Sequence, residues 1–467
     1  MISQDDENFF EALLIPNLCA SNSLTFPNVI EKMANITEEK TKTLLLQFIK
    51  KMDDKFRYSS DRLDSYYVKD YRSRTIITMF GEITYSRTIY RDRRTNKNYC
   101  YVDDKLGIDK YIRYTNDVGA KAAELNADIN SMIKVGKIIG SSIYSRFTLK
   151  DTTKYVLPRQ TIYNLLHRAK EVRVLAKDKK SVNDIYVLMD EKYVSCQDKL
   201  NDDDIRKDIM VKTALIVEGL DKSNNKRHKY INPYYLSITG NDLIDKLEDY
   251  IFSKYDIDSL KHIHFLSDGG TWIKTISSDL TIDRNKKKRY LDKFHAFKSL
   301  WNIYPEKEAY NSLIKSLYED SKDDFLKLID SYLETNQDRK EMIEKSKKYL
   351  CNNYKAIKNT LKLKNMNCAM EQVISHHIAS IFSSVPKAYS SKNMNLYLSF
   401  RDNYRNGENV KELYLKSLDC KEDVYCVNKK HIDISLLPSN IISNNHNVKT
   451  TIKGHKVDDE YDFNTGQ

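Results

Sequence analysis

The stretch His264-Phe265-Leu266-Ser267-Asp268-Gly269-Gly270-Thr271-Trp272-Ile273-Lys274 decides how this chain is read. A short apolar run closes on a carboxylate, and two glycines follow that let a ligand approach the backbone. Such an acid at the exit of a buried strand points to metal-assisted chemistry on phosphates. Upstream, Ile185-Tyr186-Val187-Leu188-Met189 reads as a buried strand ending on Asp190. Strands over about 193 to 197 and over 209 to 217 follow, then a helix near 241 to 254, then the strand at 262 to 267 that ends on Asp268. This β-β-β-α-β order predicts an α/β fold, a mixed sheet flanked by helices.

Outward from that centre the period changes twice. Residues from about 5 to 65 read as helical, with Leu44, Leu45, Phe48, Ile49 and Met52 on one face. Arg74 to Tyr90 is β-branched and aromatic around Phe80-Gly81-Glu82 and reads as a hairpin. Its Arg87, Arg91, Arg93 and Arg94, interleaved with Tyr85 and Tyr90, suit nucleic acid or, equally, a solvated basic sheet edge. From about 115 to 178 the pattern is helical again. Asp151-Thr152-Thr153 before Leu157-Pro158-Arg159-Gln160-Thr161-Ile162-Tyr163-Asn164 resembles the turn and second helix of a helix-turn-helix, with Pro158 at the helix start. Arg159, Gln160, Tyr163 and Asn164 would then read DNA, and the plain alternative is a helical hairpin.

Beyond the sheet, residues 296 to 365 are helical, Lys-rich and glycine-poor, as an insertion into the sheet domain would be. A final helix begins near Met370-Glu371, with Ile374, Ile378, Ile381 and Phe382 as its apolar stripe. Burying that stripe against the sheet brings Glu371 toward the strand ends. Past about 432 the chain is polar and expected to fray.

Composition narrows the function classes. The 467 residues carry a net charge of +11, which favours a polyanionic partner or an anionic surface. With 40% hydrophobic and 31% charged residues the profile is globular, and no apolar run approaches the ~18 residues of a membrane span. The opening Met1-Ile2-Ser3-Gln4-Asp5-Asp6-Glu7 is acidic where a signal peptide is basic, so a cytoplasmic protein is expected. Seven scattered cysteines without a CxxC pair argue against a disulfide framework, and Cys420, Cys426 and His431 fit no common zinc module.

Asp190, Asp268 and Glu371 together supply what a pair of hard divalent ions requires. Mg²⁺ prefers oxygen ligands, and two ions ~4 Å apart stabilise both the attacking and the leaving oxygen of an in-line phosphoryl displacement. Singly, each acid is as readily a turn former or helix cap.

The segments Ser267-Asp268-Gly269-Gly270-Thr271-Trp272-Ile273-Lys274, Leu291-Asp292-Lys293-Phe294-His295 and Cys368-Ala369-Met370-Glu371-Gln372-Val373-Ile374-Ser375-His376 resemble the signatures of the ISLre-two type insertion-sequence transposases. Many members of that family are described only as an uncharacterised bacterial protein family. Phe80-Gly81-Glu82, Asp190-Glu191, Val217-Glu218-Gly219 and Tyr404-Arg405-Asn406-Gly407 extend the likeness over most of the chain. Two places depart from the pattern: Ser383-Ser384-Val385-Pro386-Lys387 lacks the usual arginine, and Ser267 stands where glycine is common.

The resemblance implies a DDE transposase related to the Mutator type, with an RNase H-like core in which Asp190, Asp268 and Glu371 bind Mg²⁺ or Mn²⁺, two ions in all. It implies a helical insertion before the helix bearing the glutamate. The Asp292-Lys293-Phe294-His295 segment is similar to the Cys/Asp-x-x-His motif of those relatives, which makes His295 either a phosphate-positioning or a packed histidine. Trp272 and Lys274 flank the acids and suit a base and a phosphate, with a core role for Trp272 as the competing reading.

The expected organisation is a helical region over 1–70, a hairpin region over 71–112, a helix-turn-helix-like DNA-binding region over 113–180, a catalytic core over 181–300 and 366–430, an insertion over 301–365, and a polar tail over 431–467. The expected partners are double-stranded DNA, as terminal inverted repeats and target, and further copies of the chain on that DNA. No membrane is expected, and the location is the cytoplasm at the nucleoid. The alternatives are a non-catalytic helix-turn-helix DNA-binding protein and an RNase H-like host nuclease.

Overall fold

The run His262–Ser267 forms a strand at the bounds its sequence predicts, and Asp268 follows directly. This computed structural model describes residues 25–144, 156–176, 178–198, 208–223, 229–363, 366, 370–383, 388–418 and 424–426. The turn Asp151-Thr152-Thr153, the segment 384–387, Cys420, His431 and the tail over 431–467 lie outside the described residues. The chain divides into two compact units, one reaching to Ala169 and including Val410–Asp419, the other running from Lys170 to Asn409 with the residues after Asp419.

In the first unit, α1 (Phe26–Arg57) precedes β1 (Tyr66–Thr78) and β2 (Gly81–Asp92), an antiparallel hairpin closed by Met79-Phe80. The core between them holds Ile49, Ile76, Ile83, Tyr85 and Val102. The apolar stripe of α1 is narrower than its sequence pattern: Leu45 and Met52 pack beside Ile49, whereas Leu44 and Phe48 are exposed.

The reading of Tyr85 and Tyr90 as nucleic-acid contacts is corrected, because both rings are buried. The Tyr85 hydroxyl donates to Asp103 at 2.8 Å and that of Tyr90 to Asp53 at 3.2 Å. Arg87 and Arg74 are both paired with Asp103, so only Arg93 and Arg94 of that basic set are exposed. A bulge in β1 between Val68 and Asp70 leaves Lys69 unpaired and shifts the register of the hairpin.

Three helices follow, α2 (Asn116–Ile129), α3 (Met132–Tyr144) and α4 (Arg159–Leu166), with Pro158 capping α4 as its position predicts. The carbonyl of Leu157 lies where a side chain at Gly136 would begin, so α3 needs glycine there to let the chain cross.

In the second unit, β3 (Asp184–Val194), β4 (Ile209–Val217), β5 (Tyr234–Thr239), β6 (His262–Ser267) and β7 (Lys287–Leu291) form a five-stranded sheet in the order β7-β6-β3-β4-β5. β3, β6 and β7 are parallel, while β4 and β5 are antiparallel to their neighbours. This is the mixed sheet expected, with two corrections.

The break at Asp190 is absent, because β3 continues through Asp190↔Thr213 to Val194↔Ile209. There is thus no separate strand at 193 to 197. The third strand is Tyr234–Thr239 instead, an aromatic and β-branched run. α5 (Leu243–Lys254) and α6 (Thr271–Asp279) cover a core of Val187, Ile216, Leu236, Leu247, Ile263 and Phe265.

The helical block is present as α7 (Lys293–Ile303), α8 (Lys307–Glu319), α9 (Lys322–Thr335) and α10 (Lys340–Lys362), around Leu300, Leu313, Phe325, Ile343 and Leu350. α10 also covers the free edge of β7. Thr360 Oγ1 accepts from the Leu291 amide at 3.0 Å and donates to the Leu291 carbonyl at 2.8 Å, and Asn359 donates to the Arg289 carbonyl at 2.9 Å.

Last come α11 (Met370–Ile374), which continues as a π-helix over Ser375–Ser383, and α12 (Ser391–Arg405). Of the expected stripe Ile374, Ile378 and Phe382 are buried, while Ile381 is only half-buried. Cys100, Cys196 and Cys351 are free thiols. No helix among the described residues is long and apolar enough to cross a membrane.

Candidate functional site

Parallel pairing sets the geometry of the strand ends. Ser267 pairs with Met189 on one side and with Leu291 on the other. The next residue along each chain is therefore an acid: Asp190, Asp268 and Asp292 stand in one row. Glu371, in the first turn of α11, joins them in a cleft of about 210 Å³ that is also lined by His295 and by Met189, Phe294 and Met370. Asp190, Asp268, Glu371 and His295, drawn from distant parts of the sequence, are thus brought together.

Each acid is held differently. Asp190 accepts the Glu191 amide at 2.8 Å. Burial, with the charges of Asp268 and Glu191 beside it, pushes its carboxyl up to about 6. Asp268 accepts the Gly270 amide at 3.0 Å, and its backbone carbonyl accepts the Tyr349 hydroxyl from α10. Between them Gly269 has φ +92°, and a side chain there would begin 2.7 Å from Leu291 Cδ1 and 3.1 Å from Asn353 Nδ2. Gly269→Ala is accordingly expected to lower stability by about 1–3 kcal/mol in urea denaturation, through backbone strain and the clash with Leu291. An unchanged unfolding midpoint would contradict that.

Asp292 caps α7 and binds His295 Nδ1 through Oδ2 at 2.6 Å. That hydrogen bond, opposed by burial and reinforced by the charges of Asp292, Asp268 and Asp190, holds the imidazole above its usual value. Of the other residues singled out, Trp272 packs against the sheet core, donates through its indole N–H to Glu191 and lies under Lys212, whose Nζ is 5.6 Å from the ring centroid. Its core role therefore dominates. Lys274 is half-buried on α6, and neither residue lines the cleft.

Arg159, Gln160, Tyr163 and Asn164 belong to the first unit. Arg159, Gln160 and Asn164 are exposed on α4, with Gln160 donating to Asn164 at 2.8 Å, while Tyr163 is half-buried and stacked on His167 at 3.8 Å. Sequence reasoning passed over Asp292 as a cleft acid, and also Glu191, Tyr349 and Asn353. Only the parallel register, or the fold of the insertion, reveals them.

A buried polar cluster holds the middle of the helix that carries Glu371. Asp402 of α12 accepts from His377 at 2.8 Å, Arg173 at 2.5 Å and the Ser237 amide at 2.6 Å, and all four residues are at most 4% exposed. Arg173 also donates to the Ser237 carbonyl at 2.8 Å and to Glu171 at 3.1 Å.

Four carboxylates against one histidine make the cleft an oxygen-rich donor set suited to a hard divalent cation, which would also relieve the perturbed Asp190.

The sequence profile of an uncharacterised protein family, UPF0236, matches residues 19–417. The chain belongs to that family. UPF0236 protein TTE2489 of Caldanaerobacter subterraneus subsp. tengcongensis is 24% identical over 422 residues, which is 88% of this chain and 86% of that protein. UPF0236 protein TTE0402 of the same organism is 25% identical over 443 residues, 92% of this chain and 85% of that one. A third relative there, whose name strings together eleven labels from TTE0033 to TTE2212, is 24% identical over 415 residues, 87% and 82% of the two chains. The UPF0236 match spans every element that builds the cleft, from β3 to α11.

Proposed function

We propose that this UPF0236 chain is a DDE-type transposase that binds the terminal inverted repeats of its own insertion sequence and catalyses metal-dependent DNA cleavage and strand transfer. The observation that carries the proposal is the meeting of Asp190, Asp268 and Glu371 in one cleft. An antiparallel β3-β4-β5 set followed by β6 and β7 parallel to β3 supports an RNase H-like core, and the helical block between β7 and α11 supports the relation to Mutator-type enzymes. A relative bearing eleven labels in one genome is what a self-copying element leaves behind. The net charge of +11 suits a DNA partner.

Asp190, Asp268 and Glu371 would hold two Mg²⁺ or Mn²⁺ ions, with Asp292 in reach of the same row. Bound there, the ions supply a nucleophilic water at neutral pH and neutralise charge on the scissile phosphate. His295, whose imidazole the Asp292 hydrogen bond holds above its usual value, faces the cleft where a protonated ring would meet a phosphate oxygen. Gly269 lets Leu291 and Asn353 pack closely against the turn that carries Asp268, and Tyr349 pins the Asp268 main chain. On α4, Arg159, Gln160 and Asn164 are the exposed readers, with Tyr163 shaping the helix behind them.

The testing experiment incubates the full chain with DNA carrying the element ends, with and without Mg²⁺ or Mn²⁺, and follows strand cleavage and joining. Shift of the ends in a gel without cleavage under any divalent ion would favour the non-catalytic DNA-binding alternative. Cleavage of structured nucleic acid regardless of the ends would favour the host nuclease.

Divalent affinity should also depend on acidity. Because the Asp190 carboxyl titrates near about 6, ion binding must displace its proton below that pH, so Mn²⁺ affinity should fall about tenfold per pH unit well below 6 and level off above it. In the ion-free protein the sign is opposite: a carboxyl raised above its ordinary 3.8 makes the fold less stable as pH climbs from there to about 6. Calorimetry at several pH values, with Asp190→Asn as the flat control, checks both.

A further inference from the structure

At the opposite end of the same strands lies a second cluster. His262 and Asp184 are register partners on β6 and β3, and His264, two residues on, projects to the same side of the sheet. His262 Nδ1 and His264 Nε2 both lie against Asp184 Oδ1, at 3.2 and 3.0 Å, and among the described residues these three form the one group whose donor atoms are all within 4.8 Å of one another. We infer that Asp184, His262 and His264 form a binding site for a borderline transition-metal ion of the Zn²⁺ class, with a fourth position left to water.

The distances favour this. Zn–N and Zn–O bonds of ~2.0–2.1 Å in a tetrahedron set neighbouring donor atoms roughly 3.3 Å apart, and the carboxylate oxygen already stands 3.2 and 3.0 Å from the two imidazole nitrogens. The support around the donors is also in place. His264 Nδ1 is 2.9 Å from the Tyr290 hydroxyl, which leaves Nε2 free to ligate and fixes the ring plane, and Tyr186 stacks on the same ring at 4.5 Å. His264 is buried, whereas His262 and Asp184 are half-exposed, which gives an ion a route in.

Donor type separates this site from the cleft. Two imidazoles and one carboxylate select Zn²⁺, Co²⁺, Ni²⁺ or Cu²⁺, whereas the all-oxygen cleft selects Mg²⁺ or Mn²⁺. Asp190 is six positions beyond Asp184 along β3, about 20 Å of extended chain, so the two sites do not share an ion. Lys288, the register partner of His264 on β7, is the neighbouring cation that works against binding. A bound ion would clamp β3 to β6 where the two strands begin, and the inference stands whether or not the cleft cuts DNA.

The test titrates the chelator-stripped full chain with Co²⁺ and reads visible d–d absorption. One equivalent should bind with the intense bands of a low-coordinate ion, Zn²⁺ should displace it, and a large excess of Mg²⁺ should not. His264→Ala and His262→Gln should each weaken binding at least ~100-fold, more than loss of an outer-shell partner does, while Asp268→Asn leaves it unchanged. His262 is half-exposed, so His262→Gln keeps the experiment decisive if His264→Ala does not fold. Absence of the bands in the wild-type chain, bands that survive His262→Gln, or loss in Asp268→Asn would each overturn the inference.

Discussion

Asp268→Asn is expected to lower Mg²⁺-dependent cleavage of the element ends by at least ~10³-fold, because removal of one preorganised electrostatic partner already costs roughly 10²–10³. The substitution keeps an oxygen that can accept the Gly270 amide, now at 3.0 Å, and leaves the carbonyl that receives Tyr349. The fold, α4 included, should therefore persist, and on the proposed function the variant should still shift the ends in a gel. Asp190→Asn should behave alike. Glu371→Gln, on an exposed side chain, should leave stability untouched while removing activity. Cleavage at the wild-type rate by Asp268→Asn would end the transposase assignment.

The largest expected effect on stability is at Asp402. Asp402→Ala should lower the unfolding free energy by about 3–5 kcal/mol in guanidinium denaturation, because it strands the buried Arg173 guanidinium and the Ser237 amide. Burial opposes ionisation of Asp402, and the His377 hydrogen bond and Arg173 charge overcome it, holding the carboxyl below its ordinary range. Asp402→Asn, which can still accept one hydrogen bond, should fall between.

Burial also holds the His377 imidazole below its ordinary 6.5. A histidine lowered in the folded state binds its proton more readily when unfolded, so stability should decline as pH falls below 6.5. His377→Gln should flatten that decline. A loss under about 1 kcal/mol for Asp402→Ala would show the cluster to be incidental.

How far the sequence discloses this site depends on what each residue must do locally. β6 was legible to the residue, since an apolar run meets an acid and two glycines. β3 was not, because Asp190 and Glu191 look like an exit, yet β4 runs beside them and the antiparallel ladder carries the strand on to Val194. Asp292 caps α7, and its place beside Asp268 follows from parallel register alone. The stripe on Ile374, Ile378 and Phe382 located Glu371 correctly because burial of that face leaves the first turn no other place. Tyr85 and Tyr90 misled for the opposite reason: aromatics between arginines suit a nucleic-acid face, but Asp53 and Asp103, distant in sequence, claim their hydroxyls.

The cover that α10 lays over β7 bears on the order in which the cleft is assembled. During synthesis Asp190 and Asp268 emerge first, with β7 an open edge, Asp268 unpinned and Glu371 not yet made. The edge is closed by Thr360, 69 residues after Leu291, and the Asp268 carbonyl is tied by Tyr349, 81 residues after it. Contacts so distant form late, after the loop entropy between them has been overcome. A chain truncated before α11 therefore carries Asp190, Asp268 and Asp292 but lacks Glu371, and its cleft stays incomplete.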